Sequence, residues 1–532
     1  MPKQSPVVGI DLGTTFSAIA YVNPDTGRAE IIPSPEQERI TPSVVLFEDK
    51  DNVIVGKLAK QNAVADADHV VEFVKREMGR PLEDISNKGQ IEFSGWNRSF
   101  FGKKYSAQEI SALILKKLKL DAEARLGVEL SDAVITCPAY FGDNERAATK
   151  EAGIIAGFNV LAVLDEPVAA ALAYGLDKLD RDQKVFVFDL GGGTFDVAIL
   201  EIKSRGVREL AVNGDHRLGG KDWDDALIKH VAARFSEKFG SDPLTDNSSY
   251  QDLQLRVIAL KETLSRMGAA KLVCNHAGNA LSLQITREEF EGLTRSLVDK
   301  CRVLCDVVLT EAGLEWSAID TILLVGGATR MPMIREMVRQ VTGKTPSEEL
   351  NPDECVAHGA AWQGLLLAAE GGAVQNDLKK WIPTGLVVEK VTTHNLGTDA
   401  LRDDNELRNF LMIPKFTPVP CEIKKMFRTV SENQSRVEIS VMEGGEMGPD
   451  NTCDPDEATK IGEAPIVDIP PSPRGSPIEI TFKYTADGIL EVYAKHLPSG
   501  RYSSATVVRP GGLNQRDRDA AIQHIGKMAV SG

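Results

Sequence analysis

No apolar run in this chain approaches the roughly 18 to 20 residues that a helical membrane span needs. Nor does it open like a signal peptide: Met1-Pro2-Lys3-Gln4-Ser5-Pro6 leads straight into a strand pattern, so the expected location is the cytoplasm and no membrane partner is expected. An excess of basic charge is also missing. Lysine and arginine total 61 against 77 acidic residues, a net charge of −16. That excludes a nucleic-acid backbone as the main partner, because such a partner calls for a basic surface. Cysteine is an odd, scattered set of seven. Cys301 and Cys305 stand four apart on one face of an expected helix. With no second pair and no neighbouring histidines they read as packing, not as a metal site.

What is present is length and repetition. A chain of 532 residues exceeds one ordinary core, and two to four domains are expected. Residues 7–10 read as a strand, Asp11-Leu12-Gly13-Thr14-Thr15 as a turn and Ala18–Val22 as a returning strand. Asn23-Pro24-Asp25-Thr26-Gly27 turns into a third strand, completing an antiparallel meander. Helical periodicity follows over Ala107–Arg125, a strand over Asp132–Thr136 and a helix over Asn144–Gly157. A short strand, Val160–Leu164, passes through Asp165-Glu166-Pro167 into an alanine-rich helix over 168–174. From Lys184 the strand, the acid, the glycine turn and the returning strand recur. Helices are expected from about 222 to 315. A buried strand, Thr321–Val325, then runs into Gly326-Gly327-Ala328-Thr329-Arg330, with a helix after Met331-Pro332. The pattern dissolves near Leu367 in Ala368-Ala369-Glu370-Gly371-Gly372, a domain edge. Alternation at Val437–Val441 and Ile478–Tyr484, the latter meeting Asp487-Gly488 before Ile489–Ala494, predicts an antiparallel β domain over 393–510. Roughly the last twenty residues read as a polar, weakly helical tail.

The repeated stretches are V-V-G-I-D-L-G-T-T-F-S-A-I-A-Y-V (7–22) and V-F-V-F-D-L-G-G-G-T-F-D-V-A-I-L (185–200). A carboxylate at the end of a buried strand is costly unless its desolvation is offset, and a hydrated Mg²⁺ offsets it. Glycines just after the acid let backbone N–H groups approach phosphate oxygens where a Cβ would block them. Threonine hydroxyls add donors. Two such turns face to face would grip a triphosphate from both sides, and Gly326-Gly327, between a strand and a helix, suits the α-phosphate and sugar. Alone, Asp-Leu-Gly-Thr also fits an acid capping its own turn. The duplicated pair with the later Gly-Gly favours nucleotide binding.

These residues resemble the actin, sugar-kinase and heat-shock ATPase superfamily, and within it the seventy-kilodalton heat-shock chaperone family of the DnaK type. The resemblance runs from Val7 to about Leu513. It rests on Gly9-Ile10-Asp11-Leu12-Gly13-Thr14-Thr15, Pro138-Ala139-Tyr140-Phe141, Glu166-Pro167-Val168-Ala169-Ala170-Ala171, Asp189-Leu190-Gly191-Gly192-Gly193-Thr194-Phe195-Asp196, Leu218-Gly219-Gly220 and Asn351-Pro352-Asp353-Glu354. It implies an α/β, actin-like ATPase domain of duplicated ribonuclease-H-like lobes over 1–370 and an interdomain linker over 371–392. An all-β sandwich that binds peptides over 393–510 and a short tail or lid remnant over 511–532 complete the chain.

The resemblance also implies roles. Gly13, Thr14, Thr15 and Phe16 match the first phosphate loop; Gly191, Gly192, Gly193 and Thr194 match the second, with Gly219 and Gly220 beside it. Asp11, Glu166 and Asp189 match acids that hold Mg²⁺ through water, and Asp196 an acid near a K⁺ position. Lys75 matches the catalytic lysine, although by sequence alone it is a surface lysine on a helix; with Asp11, Glu166, Asp189, Thr194 and Asp196 it forms the expected catalytic set. Phosphoryl transfer to water depends on placement and on positive charge at the γ-phosphate, which a lysine ammonium supplies. Lys261, Glu262, Gly326, Gly327, Ala328, Arg330 and Asp353 match the adenosine side. Pro138 and Arg146 match positions that relay the nucleotide state, and Leu401, Thr429, Val430 and Val437 match the peptide cleft, with ordinary sandwich core as the other reading. ATP, ADP and Mg²⁺ are the implied ligands, with K⁺ a further candidate. The implied partners are unfolded or extended polypeptides, a J-domain co-chaperone and a nucleotide exchange factor.

Four departures qualify these expectations. Ile258 stands where the family often has Glu, Ala328 where it often has Ser, and Glu262 where Arg or an apolar residue would face adenine, so weakened ATP binding is expected. The linker reads Gly385-Leu386-Val387-Val388-Glu389-Lys390, with glycine in place of the leading acid. Ala162 and Asp165 replace the Arg and Asn of the J-domain docking site. After Gly512 only Leu513–Gly532 follow, so the helical lid is expected to be largely absent and peptide exchange fast. The leading expectation is a slow ATPase that acts as a chaperone. The alternatives are a nucleotide-gated scaffold with little hydrolysis, a small-molecule kinase on the same fold, and an actin-like filament protein.

Overall fold

A computed structural model describes residues 5–80, 99–178, 181–203, 206–372, 376–382, 386–485, 490–506 and 512–532. The two repeated stretches build the first strands of two sheets with the same wiring. Val8–Asp11 pairs antiparallel with Phe16–Val22, Asp11 opposite Ala18, and parallel with Asp132–Cys137. Gln183–Leu190 pairs antiparallel with Phe195–Lys203, Asp189 opposite Asp196, and parallel with Thr321–Val325. Both strands are buried almost throughout, as continuous apolar strands covered on two faces are. Each sheet therefore delivers its acid and its glycine turn at the same end.

Helix Cys355–Glu370 packs on the first sheet, helix Glu166–Gly175 on the second, and the two pack on each other. Small residues set this contact. A Cβ on Gly359 would lie 1.8 Å from the carbonyl oxygen of Ala169, and one on Gly9 would lie 1.9 Å from the nitrogen of Ala361. Ala169, Ala170, Ala171, Ala360 and Ala361 are fully buried around it. Glu166 is thus carried on the helix that joins the lobes.

The helices expected between 222 and 315 are present but interrupted. Ala269–His276 and Asn279–Thr286 form an antiparallel hairpin whose turn residues, Ala277 and Gly278, both have positive φ. Leu272 and Cys274 face inward while Val273 is exposed, a period of two.

The β region is a sandwich of a five-stranded sheet, in the order Thr452–Cys453, Leu407–Ile413, Leu396–Leu401, Ser440–Gly444, Ala458–Glu463, and a four-stranded sheet, Cys421–Arg428, Pro477–Tyr484, Leu490–His496, Tyr502–Thr506. Ile413, Val441, Ile466, Ile480, Phe482 and Val492 fill the space between them. The predicted Asp487-Gly488 turn lies outside the described residues, but the strands on either side pair antiparallel. Of the predicted linker, Gly385 lies outside the described residues, while Val387–Val391 forms a strand. This strand runs parallel to Gly206–Asp215 of the second lobe and antiparallel to Pro418–Val419. Only glycine fits at 206, where a Cβ would lie 2.0 Å from the Val387 carbonyl oxygen. The tail is more structured than its polarity suggests: helix Gln515–Lys527 and strand Ala529–Ser531 pack on the first lobe. No helix of the described residues is long and apolar enough to cross a membrane.

Candidate nucleotide site

The two glycine–threonine turns meet across a cavity of about 410 Å³ between the lobes. A Cβ on Gly192 would lie 1.7 Å from Thr15 Oγ1, and one on Gly193 would lie 2.4 Å from Thr14 Cγ2. Nothing larger than glycine allows the turns to come this close. Gly219 backs the second turn, since its Cβ would meet Gly193 at 2.5 Å. Gly13 has the same constraint from the Phe16 carbonyl oxygen at 2.0 Å.

Acids crowd one wall. Asp11, Glu166 and Asp189 line the cavity, and Asp196 lies buried behind them. Burial, then the charge of Glu166, push the Asp11 carboxyl up to about 7. Asp189 is pushed well above the carboxylate range by burial and by Glu166, Asp196 and Asp11. Asp196 rises to about 8, mainly through burial; its Oδ1 accepts from the Tyr140 N–H at 3.0 Å, while its buried Oδ2 has no partner. Lys75, 4% exposed, puts its Nζ 2.5 Å from Glu166 Oε1. Burial lowers its pKa, but Glu166 and Asp11 outweigh this and hold the ammonium charged. Lys75 arrives there because Phe73 takes a left-handed backbone (φ 57°) and turns the chain after strand Val70–Val71 into the cleft. Carboxylates that repel one another in a dry cleft, one with an orphaned oxygen, suit a hydrated cation. Among the described residues no three of His, Cys, Asp and Glu converge tightly enough to ligate a bare metal ion.

The opposite end is lined by Ile258, Lys261, Glu262, Gly326, Gly327, Ala328, Arg330 and Asp353. Gly326 needs its positive φ of 80°, and a Cβ there would lie 2.4 Å from the Leu190 carbonyl oxygen. Arg330 reaches Asp353 at 2.5 Å. Lys261 Nζ donates to the Gly220 carbonyl oxygen at 2.9 Å and to Asp224 at 2.8 Å. Asp224 carries no motif and was not read from the sequence. Nor was Arg76, which spans the cleft mouth to the Gly193 carbonyl oxygen at 3.0 Å and to Asp222 at 2.5 Å. Lys60, Ser265 and Arg266, also unread, line the same cavity.

Below the cleft Arg146 is largely covered, its side chain 14% exposed. It donates to the carbonyl oxygens of Phe141 (2.9 Å) and Ala139 (2.7 Å) and pairs with Asp165. Pro138 begins the turn that carries Tyr140 and Phe141. Here the sandwich docks. Lys390 Nζ donates to the Val163 carbonyl oxygen at 2.6 Å, Glu443 accepts from the Asp143 N–H at 3.1 Å, His394 lies 4.8 Å from the Tyr140 ring, and Lys415 pairs with Glu311. The four predicted cleft residues of the sandwich divide. Leu401 and Val430 are exposed. Val437 is half-buried against the sandwich core, and Thr429 is buried, its N–H donating to the Ser476 carbonyl oxygen at 3.0 Å.

Comparison with known sequences agrees with this architecture. The profile of the Hsp70 protein family matches residues 7–531. The chaperone protein DnaK of Thermotoga neapolitana is 42% identical over 524 residues, covering 97% of this chain and 82% of the relative. That of Thermosipho melanesiensis is 41% identical over 529 residues, 98% and 83% of the two chains. That of Thermotoga maritima is 42% identical over 514 residues, 95% and 80%. With paired lobes, facing glycine turns, a trailing β-sandwich and a match along nearly its whole length, the chain belongs to the Hsp70 family.

Proposed function

We propose that this protein is an ATP-dependent molecular chaperone: residues 1–370 hydrolyse ATP to ADP and phosphate, 371–392 couple, and 393–510 hold extended apolar segments of unfolded polypeptides. The observation that carries the reading is the close facing of Gly192 and Gly193 with Thr15 and Thr14 beside a wall of acids, one of which, Glu166, pairs with Lys75. Backbone N–H groups of both turns, with the Thr14, Thr15 and Thr194 hydroxyls, hold the phosphate tail. Asp11, Glu166 and Asp189 would hold Mg²⁺ through its water shell, and Asp196 would stand near a K⁺ position. When bound, Mg²⁺ would supply positive charge to the phosphate tail. Lys75 keeps its ammonium at the cleft wall, charged through Glu166, and presents it to the γ-phosphate. Lys261, Gly327, Arg330 and Asp353 hold the adenosine end, with Ile258, Ala328 and Glu262 weakening it.

Arg146 and Pro138, directly under the docked sandwich, pass the state of the cleft to the peptide holder, where Leu401, Thr429, Val430 and Val437 contact the client. The tail sits on the first lobe, so it does not restrain the peptide and exchange is fast; release of a fluorescent peptide over minutes would contradict this. J-domain and exchange partners act on the nucleotide lobes, with the J-domain site altered at Ala162 and by the burial of Asp165 beneath Arg146.

The decisive experiment is ATP hydrolysis with and without an unfolded polypeptide. Wild type should be slow and stimulated, and Lys75→Ala should lose roughly a hundredfold or more. Unstimulated phosphate release that survives Lys75→Ala would refute the reading.

A further inference from the structure

The tail is fastened to the same part of the first lobe that carries Lys75. Strand Ala529–Ser531 adds in parallel to Asn52–Val55, in the register Ala529↔Asn52, Val530↔Val53, Ser531↔Ile54. The resulting sheet runs tail strand, Asn52–Val55, Val45–Phe47, Val70–Val71. Its far strand, Val70–Val71, leads directly into the left-handed turn at Phe73 that delivers Lys75 to Glu166. The tail is thus one edge of a small sheet, and the other edge holds the lysine.

A second connection runs through helix Ala107–Leu126. Lys116 Nζ donates to three tail carbonyl oxygens, those of Ile525 (2.8 Å), Gly526 (3.0 Å) and Met528 (2.9 Å). This satisfies the end of the tail helix, where unpaired carbonyls and the helix dipole favour a cation. One and a half turns earlier on the same helix, Ser111 Oγ reaches Met78 Sδ at 3.5 Å, in the turn after Lys75. The tail helix is anchored by Ala521, Ile525 and Met528, all within the core of the first lobe. Tyr105 meets His524 Nε2 at 3.1 Å, and Glu151 accepts from the Leu513 N–H at 3.3 Å. In sequence the tail follows the last sandwich strand, Tyr502–Thr506.

We propose that the tail strand and helix are a positioning element for Lys75, a strap that ties the sandwich to the catalytic lobe by a route separate from linker strand Val387–Val391. This rests on the reading of the cleft as the ATPase site. With the strap seated, the small sheet and helix Ala107–Leu126 hold the Phe73 turn in the geometry that keeps Lys75 on Glu166. When the sandwich pulls the tail away, the sheet loses an edge strand and the lysine loses its support.

The test uses the full chain. Ala529→Pro deletes the N–H that donates to the Asp51 carbonyl oxygen at 2.9 Å. Lys116→Met removes the three-carbonyl clasp and keeps the side-chain length. Single-turnover hydrolysis should fall roughly tenfold to a hundredfold in both variants, since small misplacements of a catalytic group have effects of that size. Mg·ADP affinity should stay within about threefold, because Lys75 acts on the phosphate that ADP lacks. Amide exchange over Val70–Met78 should quicken. In a Lys75→Ala background Ala529→Pro should cause no further loss. The proposal is overturned if the tail amides exchange freely in Ala529→Pro while the rate is unchanged, or if the two substitutions act independently. Should wild type bind no Mg·ATP, the nucleotide reading fails by itself; the exchange measurement still decides the strap, which falls if freeing Ala529–Ser531 leaves Val70–Met78 unaltered.

Discussion

Docking of the sandwich on the nucleotide lobes should be linked to protons, and two partly buried groups set the sign. Burial, reinforced by Asp143 and Glu145 and opposed by the Asp143 N–H and Arg146, pushes the Glu443 carboxyl from 4.5 to about 8. Burial, with repulsion from Arg146, Lys415 and His216, pulls His394 from 6.5 down to about 4. Between pH 4 and 8 the 3.9 Å approach of His394 Nδ1 to Glu443 therefore joins two neutral groups. If undocking returns both to water, docking takes up a proton at Glu443 between pH 4.5 and 8 and expels one at His394 between pH 4 and 6.5. The two effects cancel from 4.5 to 6.5. Above 6.5 only Glu443 remains, and over the next 1.5 pH units docking weakens by about 2 kcal/mol, roughly thirtyfold. Glu443→Gln keeps an acceptor for the Asp143 N–H and removes the titration. Its docking should be flat over that interval and tighter than wild type at its upper end. Hydrogen exchange of the Val387–Val391 amides, corrected for intrinsic rates, reads docking directly. Wild-type protection that does not change from pH 6.5 to 8, or an equal slope in Glu443→Gln, would refute this account.

Three other outcomes follow from contacts and positions already described. Gly193→Ala puts a methyl 2.4 Å from Thr14 Cγ2, which forces the facing turns apart; calorimetry should show Mg·ATP affinity reduced by at least roughly tenfold, about 1.4 kcal/mol. Glu262→Arg replaces an acid at the adenosine end with a cation that can lie over a ring, and should tighten ATP by about 0.5 to 1 kcal/mol in the same assay. Arg146→Ala strips the buried Asp165 of its cation. Denaturant unfolding should register about 3 to 5 kcal/mol of lost stability, because an uncompensated carboxylate is left in the interior.

The chemistry of the cleft was legible because it is written in short contiguous stretches. Asp11 with Gly13-Thr14-Thr15, and Asp189 with Gly192-Gly193-Thr194, each carry acid, turn and hydroxyl within a few residues, and duplication ties them together. Lys75 was invisible without the family resemblance, since its burial comes from a backbone turn at Phe73 and not from a pattern. Asp224 and Arg76 were missed because their roles exist only across elements, Asp224 through Lys261 on another helix and Arg76 across the mouth of the cleft. The hairpin at Ala269–Thr286 was lost in a helix-rich stretch, although its alternation was there to read. The tail shows the limit most plainly. Ala521, Ile525 and Met528 stand four and three apart, the spacing of one helix face, but no sequence feature says which surface that face will meet.

The linker strand has a further consequence. It is the fifth strand of a six-stranded sheet, lying between Gly206–Asp215 of the second lobe and Pro418–Val419 of the sandwich. When it peels away, the backbone of Gly206–Arg208 loses its strand partner, and a strand that takes the place of Val387–Glu389 must approach Gly206 as closely as Val387 does. A neighbouring molecule in the same state carries such a chain. Strand exchange between two undocked molecules would rebuild both ladders at once, so undocking would make association depend on protein concentration.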